Sequence, residues 1–230
     1  MILIGDVHGC YKTLRALIKK CPVEQVCFVG DLIDKGPASD KVVEFVRKEG
    51  YISVRGNHEQ MLLEFLQKKR LSWPTGEVTL ESYGYFDSKK SFGKDYALQQ
   101  LEDNPDIQWL VELPLYIEFP CLQNAKGRSL LVSHSSAHKV WRYKDKVLSN
   151  EVYKYTFETD IIWERPRVID DIPRIYNVFG HSPVAAAIVS EHYANLDSGC
   201  YLGNRREFGF GVLSALRFPE MEVYTQECID

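Results

Sequence analysis

Five short apolar runs in this chain each end at a side chain that can bind a metal ion or transfer a proton. The runs are rich in Val, Ile and Leu, which is typical of buried strands, and glycine flanks four of the five turns after them. The runs and their turns are Met1–Ile4 with Gly5-Asp6-Val7-His8-Gly9, Val26–Val29 with Gly30-Asp31-Leu32-Ile33-Asp34, Ile52–Val54 with Arg55-Gly56-Asn57-His58-Glu59, Leu130–Val132 with Ser133-His134, and Tyr176–Phe179 with Gly180-His181. Ligands of α/β proteins bind where such strands end, so we expect these side chains to meet at one sheet edge.

The polar side chains at these turns are what two neighbouring divalent cations require. Carboxylate, amide and imidazole ligands without thiolate favour Mn²⁺, Fe, Zn²⁺ or Mg²⁺ over soft ions. The predicted ligands of one ion are Asp6, His8 and Asp31, and those of the other are Asp31, Asn57, His134 and His181, with Asp31 shared. Two ions, two aspartates and a bridging hydroxide carry a formal charge of about +1, which attracts a phosphate dianion.

Composition excludes several other classes of protein. A net charge of -4 and a pI near 5.9 argue against a partner that is a nucleic-acid polymer. No apolar run approaches membrane-spanning length, and because the first strand starts at Met1 we expect no cleavable signal peptide. Six cysteines without a Cys-x-x-Cys pair are typical of free thiols. These features predict a cytoplasmic protein without a membrane partner.

The order of elements predicts an α/β fold within one domain, residues 1–230. The first 69 residues alternate strand and helix, with helices expected over 11–20, over 40–49 with Ser39 as the N-cap, and after Asn57. Residues 70–114 interrupt this alternation with an aromatic-rich insertion, which is either a cap over the substrate or a packing module. Strands then return in a number that favours two sheets.

The ordered motifs resemble those of the calcineurin-like metallophosphoesterases. These are Gly-Asp-x-His-Gly, Gly-Asp-x-x-Asp-x-Gly, Arg-Gly-Asn-His-Glu, Ser-His and Gly-His, and the resemblance spans Met1 to about Leu202. Within the family, the chain looks most like the phosphoprotein phosphatases of bacterial and phage-lambda type. The resemblance implies a four-layer α/β/β/α sandwich with two mixed sheets and a helical cap insertion. It also implies two divalent ions, with Mn²⁺ expected first, and in-line attack on phosphorus by a hydroxide that bridges them.

The same resemblance assigns roles to residues around the ions. His58 corresponds to the general acid that protonates the leaving group, and Asp34 to its carboxylate partner. The alternative is that His58 only packs or binds metal. Arg55 and Arg165 correspond to arginines that grip phosphate oxygens through a planar guanidinium, and the alternative for Arg165 is an ordinary surface arginine.

Two segments indicate different substrates. Lys35 stands where the phosphatases usually have arginine, and together with Gly36-Pro37-Ala38-Ser39 and Leu196-Asp197-Ser198-Gly199-Cys200 it resembles the diadenosine tetraphosphatases. A second segment looks more like the lambda-type protein phosphatases, namely Arg55-Gly56-Asn57-His58-Glu59-Gln60-Met61. The sequence reading therefore favours a Ser/Thr protein phosphatase acting on a phosphoprotein or small phosphorylated substrate. Its alternative is a dinucleoside polyphosphate hydrolase, and a non-catalytic scaffold is the third possibility. Lys35 is predicted to contact the substrate in either enzyme.

Overall fold

Successive residues of the first strand face two different apolar environments. In this computed structural model, which describes residues 1–67, 75–85 and 100–230, Ile2 and Ile4 pack in a cluster with helical side chains. Leu3 lies between them and packs in a second cluster, among strand residues of two sheets. All three side chains are fully buried. A strand buried on both faces belongs to an inner layer, covered by helices on one side and by a sheet on the other.

The described strands form two mixed five-stranded sheets. Their bounds are β1 Ile2–Ile4, β2 Val26–Phe28, β3 Ile52–Ser53, β4 Tyr116–Gln123, β5 Ser129–Ser133, β6 Ile175–Phe179, β7 Ile188–Val189, β8 Tyr193–Asn195, β9 Val212–Arg217 and β10 Glu222–Glu227. The first sheet has the order β10-β9-β1-β2-β3, with β1, β2 and β3 parallel. The second has the order β4-β5-β6-β8-β7, with β5, β6 and β8 parallel.

Helices cover the outer face of each sheet. Their bounds are α1 Tyr11–Lys20, α2 Ser39–Lys48, α3 Asn57–Leu66, α4 Gly76–Ser82, α5 Pro105–Val111 and α6 Glu151–Trp163, with 3₁₀ turns at Trp141–Lys146 and within Cys200–Phe208. Leu14 of α1 and Val42 of α2 pack with Ile2 and Ile4 of the first sheet. Phe157 and Ile161 of α6 pack against Leu131 on the outer face of the second sheet. The predicted α/β/β/α sandwich is confirmed.

The elements near residues 70–114 are described only in part. Residues 68–74 and 86–99 lie outside the described ranges, and with them part of the predicted insertion. Helix α4 packs against α2, and α5 packs against both α2 and α3. Helix α5 begins at Pro105 after the N-cap Asn104, whose side chain accepts a hydrogen bond from the Asp106 N–H at 2.8 Å.

Ser39 does not cap α2, contrary to the expectation from sequence. The helix begins at Ser39 itself, and its N-cap position is Ala38, which makes no side-chain cap bond. The Ser39 hydroxyl instead accepts a hydrogen bond from the Asp34 N–H at 3.1 Å. Its oxygen therefore holds the preceding loop rather than the first turn of its own helix.

No helix in the described ranges combines the length and apolar character that crossing a bilayer requires.

Candidate metal centre

The five motif turns meet because the strands that precede them are parallel within each sheet. The carboxyl ends of β1, β2 and β3 lie at one edge of the first sheet, and those of β5 and β6 at one edge of the second. His134, after β5, joins the two edges: its Nδ1 lies 2.9 Å from the carbonyl oxygen of Val29, after β2. The edge predicted from sequence thus combines loops from both sheets.

Asp31 lies at the middle of this cluster. Its Oδ2 is 3.4 Å from His8 Nε2, and its Oδ1 is 3.4 Å from His134 Nε2. Burial alone would raise the pKa of Asp31, but the nearby His134, His58 and His8 outweigh burial and lower it. Ligand atoms of His8, Asp31 and His58 lie within 4.8 Å of one another, and so do those of Asp6, Asp31 and His134. A carboxylate common to both groups is suited to bridge two ions.

Asn57, His134 and His181 meet on one side of Asp31. The Asn57 Oδ1 lies 2.9 Å from His134 Nε2 and 2.9 Å from His181 Nδ1, and the two histidine nitrogens are 3.1 Å apart. All three side chains are buried. An amide oxygen and two imidazole nitrogens that converge in this way form a donor set for one divalent ion.

Backbone carbonyls orient two of the histidines. His8 Nδ1 lies 2.8 Å from the Ile33 carbonyl oxygen, as His134 Nδ1 lies beside that of Val29. A proton on each Nδ1 leaves each Nε2 free to bind metal. Burial is the main reason that the pKa values of His8, His134 and His181 are lowered, that of His181 to about 3. These imidazoles are therefore neutral near pH 7, as metal binding requires.

Asp6 is buried close to two other carboxylates, Asp197 and Asp31. Its side chain is buried, and its Oδ2 accepts a hydrogen bond from the His181 N–H at 3.1 Å. Burial, followed by the charges of Asp197 and Asp31, raises the pKa of Asp6 well above its usual range. Divalent cations would relieve this repulsion, so the residues present fit the two ions predicted from sequence.

Strained backbone accompanies the candidate ligands. Five non-glycine residues of the site have positive φ, namely His8 at 46°, Asp31 at 51°, Asp34 at 69°, Lys35 at 63° and His181 at 68°. Histidine and aspartate adopt this left-handed region more readily than most residues, but each instance still costs free energy. Such positions gather where a fold must direct side chains to one point.

Two glycines allow the loops to approach each other closely. A Cβ at Gly180 would lie 1.9 Å from Asp6 Oδ1, and a Cβ at Gly56 would lie 2.1 Å from Asp31 Oδ1. Neither distance is possible for a real side chain, because real Cβ atoms essentially never come within 3.0 Å of such a neighbour. Glycine at these two positions keeps both aspartates in place.

His58 and Asp34 form the predicted pair at the side of the cluster. His58 Nδ1 lies 2.6 Å from Asp34 Oδ2. The His58 Nε2 is 3.8 Å from Asp31 Oδ2, so the ring stands close to the candidate ligands. Burial by itself would lower the pKa of His58, but the Asp31 and Asp34 carboxylates raise it. These distances fit a general acid, and they also leave open the alternative that His58 binds metal.

Helix α4 and its N-cap residue Thr75 hold Asp34 through hydroxyl groups that sequence reasoning missed. Thr79 Oγ1 donates to Asp34 Oδ1 at 2.6 Å, and Thr75 Oγ1 donates to Asp34 Oδ2 at 2.8 Å. The Asp34 N–H in turn donates to Thr79 Oγ1 at 2.9 Å. The only sequence signal was a pair of threonines four residues apart, far from every motif. Both threonines belong to the 70–114 segment, which therefore reaches the site.

Lys35 lies directly beside His8. Its Nζ is 2.9 Å from His8 Nε2, the atom that His8 would offer to an ion, and 4.2 Å from the centre of the Tyr201 ring. The Tyr201 ring also packs edge-on against His8 at 4.9 Å. A bound cation and the Lys35 ammonium would compete for the same nitrogen. Tyr201 is a further residue that sequence reasoning missed.

The two predicted arginines occupy different surroundings. Arg165 is exposed, and its Nε donates to His181 Nε2 at 3.1 Å, which places it at the rim of the cluster. The described contacts of the Arg55 guanidinium are instead with the Val111 carbonyl oxygen at 2.8 Å and with Gln60 Oε1 at 3.2 Å. Arg55 thus binds the last residue of α5.

Glu59 connects two ligand loops from inside the protein. Its Oε2 accepts from the N–H groups of Asp31 at 2.9 Å and Gly56 at 2.8 Å, and its Oε1 accepts from the Leu32 N–H at 2.8 Å. Glu59 was part of a recognised motif, but the sequence suggested no role for it. A glutamate at the third residue after a helix N-cap commonly bonds back to that cap, and this was the available signal.

Comparison with known proteins agrees with the geometry. The family model for calcineurin-like phosphoesterases matches residues 1–208. Among curated proteins, the chain is similar to bis(5'-nucleosyl)-tetraphosphatase PrpE (asymmetrical) of Oceanobacillus iheyensis, with 28% identity over 96% of this chain and 89% of that protein. The protein of the same name from Bacillus subtilis is 28% identical over 96% of this chain and 91% of its own length.

Solved structures share the fold. One, described as that of a candidate diadenosine tetraphosphatase, has a TM-score of 0.61 and 24% identity, and the match covers 98% of this chain and 92% of that one. A cold-active protein tyrosine phosphatase has a TM-score of 0.60 and 17% identity, covering 94% of this chain and 73% of the other. With a family match over most of its length and clustered Asp and His ligands for divalent ions, the chain belongs to the calcineurin-like phosphoesterases.

Proposed function

We propose that this protein is a metal-dependent hydrolase of dinucleoside polyphosphates that cleaves its substrate asymmetrically. The observation that carries the proposal is the similarity to bis(5'-nucleosyl)-tetraphosphatases along 96% of the chain. It favours the second of the two substrate classes expected from sequence. The Ser/Thr protein phosphatase reading has weaker support, because the phosphatase structures similar to this chain are below 20% identity and bear only on the fold.

The six clustered side chains would hold two divalent ions. These are Asp6, His8, Asp31, Asn57, His134 and His181, with Asp31 shared between the ions. Bound ions of this kind neutralise phosphate charge and supply a water nucleophile at neutral pH. The identity of the metals is part of the proposal, and Mn²⁺ is the first candidate.

Lys35 and Arg165 would bind the phosphate chain from two sides of the cluster. Lys35 lies against His8, and Arg165 lies against His181. A lysine ammonium acts as a point charge without the two-pronged geometry of arginine. A point charge can follow successive phosphates of a flexible chain, whereas arginine favours one phosphate held by two oxygens. This difference supports a polyphosphate substrate for a chain with lysine at position 35.

Arg55 would act indirectly in this scheme. Its guanidinium holds the C-terminal end of α5, where helix carbonyls attract a cation. We therefore propose that Arg55 positions the loop before Asn57, and that phosphate contact by Arg55 requires its bond to Val111 to open.

His58 would donate a proton to the departing nucleotide, with Asp34 holding the ring. The Nδ1 to Asp34 contact at 2.6 Å leaves Nε2 to face the cluster. Hydrolysis adds the elements of water across one phosphoanhydride bond. Diadenosine tetraphosphate cleaved asymmetrically therefore gives ATP and AMP.

Product analysis tests the proposal. Protein supplied with Mn²⁺ is incubated with diadenosine tetraphosphate, a phosphoserine peptide and a phosphotyrosine peptide, and kcat/KM is measured for each. We expect ATP and AMP in equal amounts, with kcat/KM at least about tenfold above that of either peptide, which corresponds to about 1.4 kcal/mol. The Asp31→Asn variant serves as the inactive control. A phosphopeptide preferred tenfold over the dinucleotide would refute the proposal and restore the protein phosphatase reading.

A further inference from the structure

Three cysteines outside the proposed reaction meet next to the metal-centre loops. The sulfur atoms of Cys10, Cys200 and Cys228 lie within 4.8 Å of one another. Cys10 and Cys200 are each 1% exposed, Cys228 is 9% exposed, and none of the three takes part in a disulfide. Cys10 precedes α1, Cys200 begins the 3₁₀ turns, and Cys228 follows β10. We call this group the cysteine cluster.

The backbone that carries Cys228 is fixed at several points. The Cys228 N–H donates to the Gly211 carbonyl oxygen at 2.8 Å. The Asp230 carboxylate accepts from the N–H groups of Lys12 and Thr13 at 2.9 Å each, and from the Thr13 hydroxyl at 2.7 Å. The tail after β10 therefore docks on the first turn of α1. This docking brings the Cys228 sulfur to the other two.

The environment of Cys228 favours a thiolate. A hydrogen bond from the Cys200 thiol, supported by the backbone N–H of Asp230, lowers the pKa of Cys228 to about 5 against the effect of burial. The pKa of Cys200 is raised, first by its hydrogen bonds with Cys10 and Cys228. One anionic sulfur beside two thiols is a partly prepared donor set for a metal ion, since the thiolate is the form that binds.

We propose that Cys10, Cys200 and Cys228 form a binding site for one thiophilic closed-shell metal ion of the Cu⁺ or Zn²⁺ class. Sulfur ligands select such ions, whereas the oxygen and nitrogen ligands around Asp31 select harder ones. A zinc–sulfur bond is about 2.3 Å long, so three sulfurs around one ion are separated by about 4 Å. This separation is compatible with the cysteine cluster, whose sulfur atoms lie within 4.8 Å of one another. On binding, each sulfur forms a bond to the ion, and the remaining thiol protons pass to solvent.

The cysteine cluster is separate from the candidate metal centre but adjacent to it. The Cys10 thiol donates to the His8 carbonyl oxygen at 3.6 Å. Tyr201 follows Cys200 in sequence and packs against His8. The proposal does not depend on the substrate of the enzyme, because the two donor sets share no ligand atom.

Cadmium serves as the probe, because its bonds to thiolates absorb in the ultraviolet and its bonds to Asp, Asn and His do not. The titration uses a Cys21→Ser, Cys121→Ser background, which removes the half-buried and the exposed thiol outside the cluster. With Mn²⁺ in excess, we expect one equivalent of Cd²⁺ to saturate the absorbance. Cys200→Ser and Cys228→Ser should each weaken binding more than about tenfold, the loss typical even of residues that only orient a ligand. Cys27→Ala, which removes a buried thiol elsewhere, should leave the titration unchanged.

A second measurement covers the case in which a variant does not fold. In the unaltered protein, one equivalent of Cd²⁺ should slow the alkylation of Cys228 by iodoacetamide at least about tenfold, as followed by peptide mass spectrometry, and should leave exposed Cys121 reactive. The proposal is overturned if the absorbance is absent, if it persists in Cys200→Ser, or if Cys228 is alkylated at the same rate with and without Cd²⁺.

Discussion

At the scale of single residues, the site depends on positions where the backbone is strained and the side chain is buried. Four positive-φ positions of the site belong to residue types that tolerate this conformation, and Lys35 is the exception. The Lys35 ammonium lies against His8 and over the Tyr201 ring. Because the Lys35 side chain lies beside His8, its replacement should lower the hydrolysis rate of substrates whose phosphates extend toward His8.

The Lys35→Met variant tests this expectation. It keeps much of the side-chain volume and removes the charge, so kcat/KM for diadenosine tetraphosphate should fall about tenfold or more while p-nitrophenyl phosphate turnover changes little. Lys19→Met, at an exposed position of α1, is the matched control and should change neither rate. Equal losses on both substrates would instead indicate a general role at the metal centre.

His58 should matter in proportion to how poor the leaving group is. General acid catalysis contributes about 10²- to 10⁴-fold, mainly where the leaving group is a strong base. His58→Asn should therefore damage hydrolysis of phosphoserine far more than that of p-nitrophenyl phosphate, with diadenosine tetraphosphate closer to the latter. Rates at saturating metal, where chemistry limits turnover, provide the comparison. A uniform loss on all three substrates would favour the alternative that His58 binds metal.

At the scale of elements, the sequence predicted the motif turns and the helices α1, α2 and α3, but it did not predict α6. The motif turns could be located because short Val- and Ile-rich runs end at glycine and a polar side chain, and parallel strands bring such turns together. Helix α6, Glu151–Trp163, was not predicted. It buries only Phe157, Ile161 and Ile162 and leaves Val152 and Tyr155 more than 70% exposed, so its apolar spacing is weak. Its N-cap Asn150, which accepts from Val152 and Tyr153, was the missed signal.

The hydroxyl groups of Thr75 and Thr79 could not be assigned a role from sequence, because nothing in the order of residues shows that α4 lies against the loop after β2.

The Thr79→Val variant tests the role of these hydroxyl groups. It keeps the shape of the side chain but removes the hydrogen bond that the Thr79 hydroxyl donates to Asp34 Oδ1, and the loss of a buried hydrogen bond to a charged group costs about 1–3 kcal/mol. We expect Thr79→Val to reduce hydrolysis of phosphoserine more than that of p-nitrophenyl phosphate, as His58→Asn does, but by a smaller factor. Ser82→Ala on the same helix, whose hydroxyl donates to the Thr79 carbonyl oxygen, is the control. An unchanged leaving-group dependence would show that Asp34 does not need α4.

The turn after β6 should tolerate no side chain at Gly180. Gly180→Ala would push against Asp6 Oδ1, so we expect weaker metal binding, measured by calorimetry with Mn²⁺, and a matching loss of activity. Gly127→Ala is a suitable comparison, because a Cβ there meets nothing within 4 Å. Gly127→Ala should leave metal affinity and activity unchanged and should alter only the stability of the fold. Wild-type metal affinity in Gly180→Ala would mean that Asp6 is not held as described.

At the scale of the whole molecule, the two sheets form a stable frame around buried carboxylates that repel one another. Asp6 and Asp31 are each 2% exposed, and the burial of like charges destabilises the protein until cations compensate them. Ions that bind only the folded state should therefore raise the melting temperature. At a free concentration 100 times Kd, the gain is about 2.7 kcal/mol per site. Chelation should lower the melting temperature and abolish activity, and added Mn²⁺ should restore both. Full activity in chelated protein would exclude the metal account.

The count of bound ions is the most direct test of a two-ion centre organised by Asp31. Native mass spectrometry at saturating Mn²⁺ should find two ions per wild-type chain. Asp31→Asn should lose tight binding of both, because one carboxylate lies between the His8 and His134 donors. Asp145→Asn, an exposed carboxylate outside the site, should retain two. A wild-type chain that holds fewer than two ions, or an Asp31→Asn chain that still holds both, would contradict the shared centre.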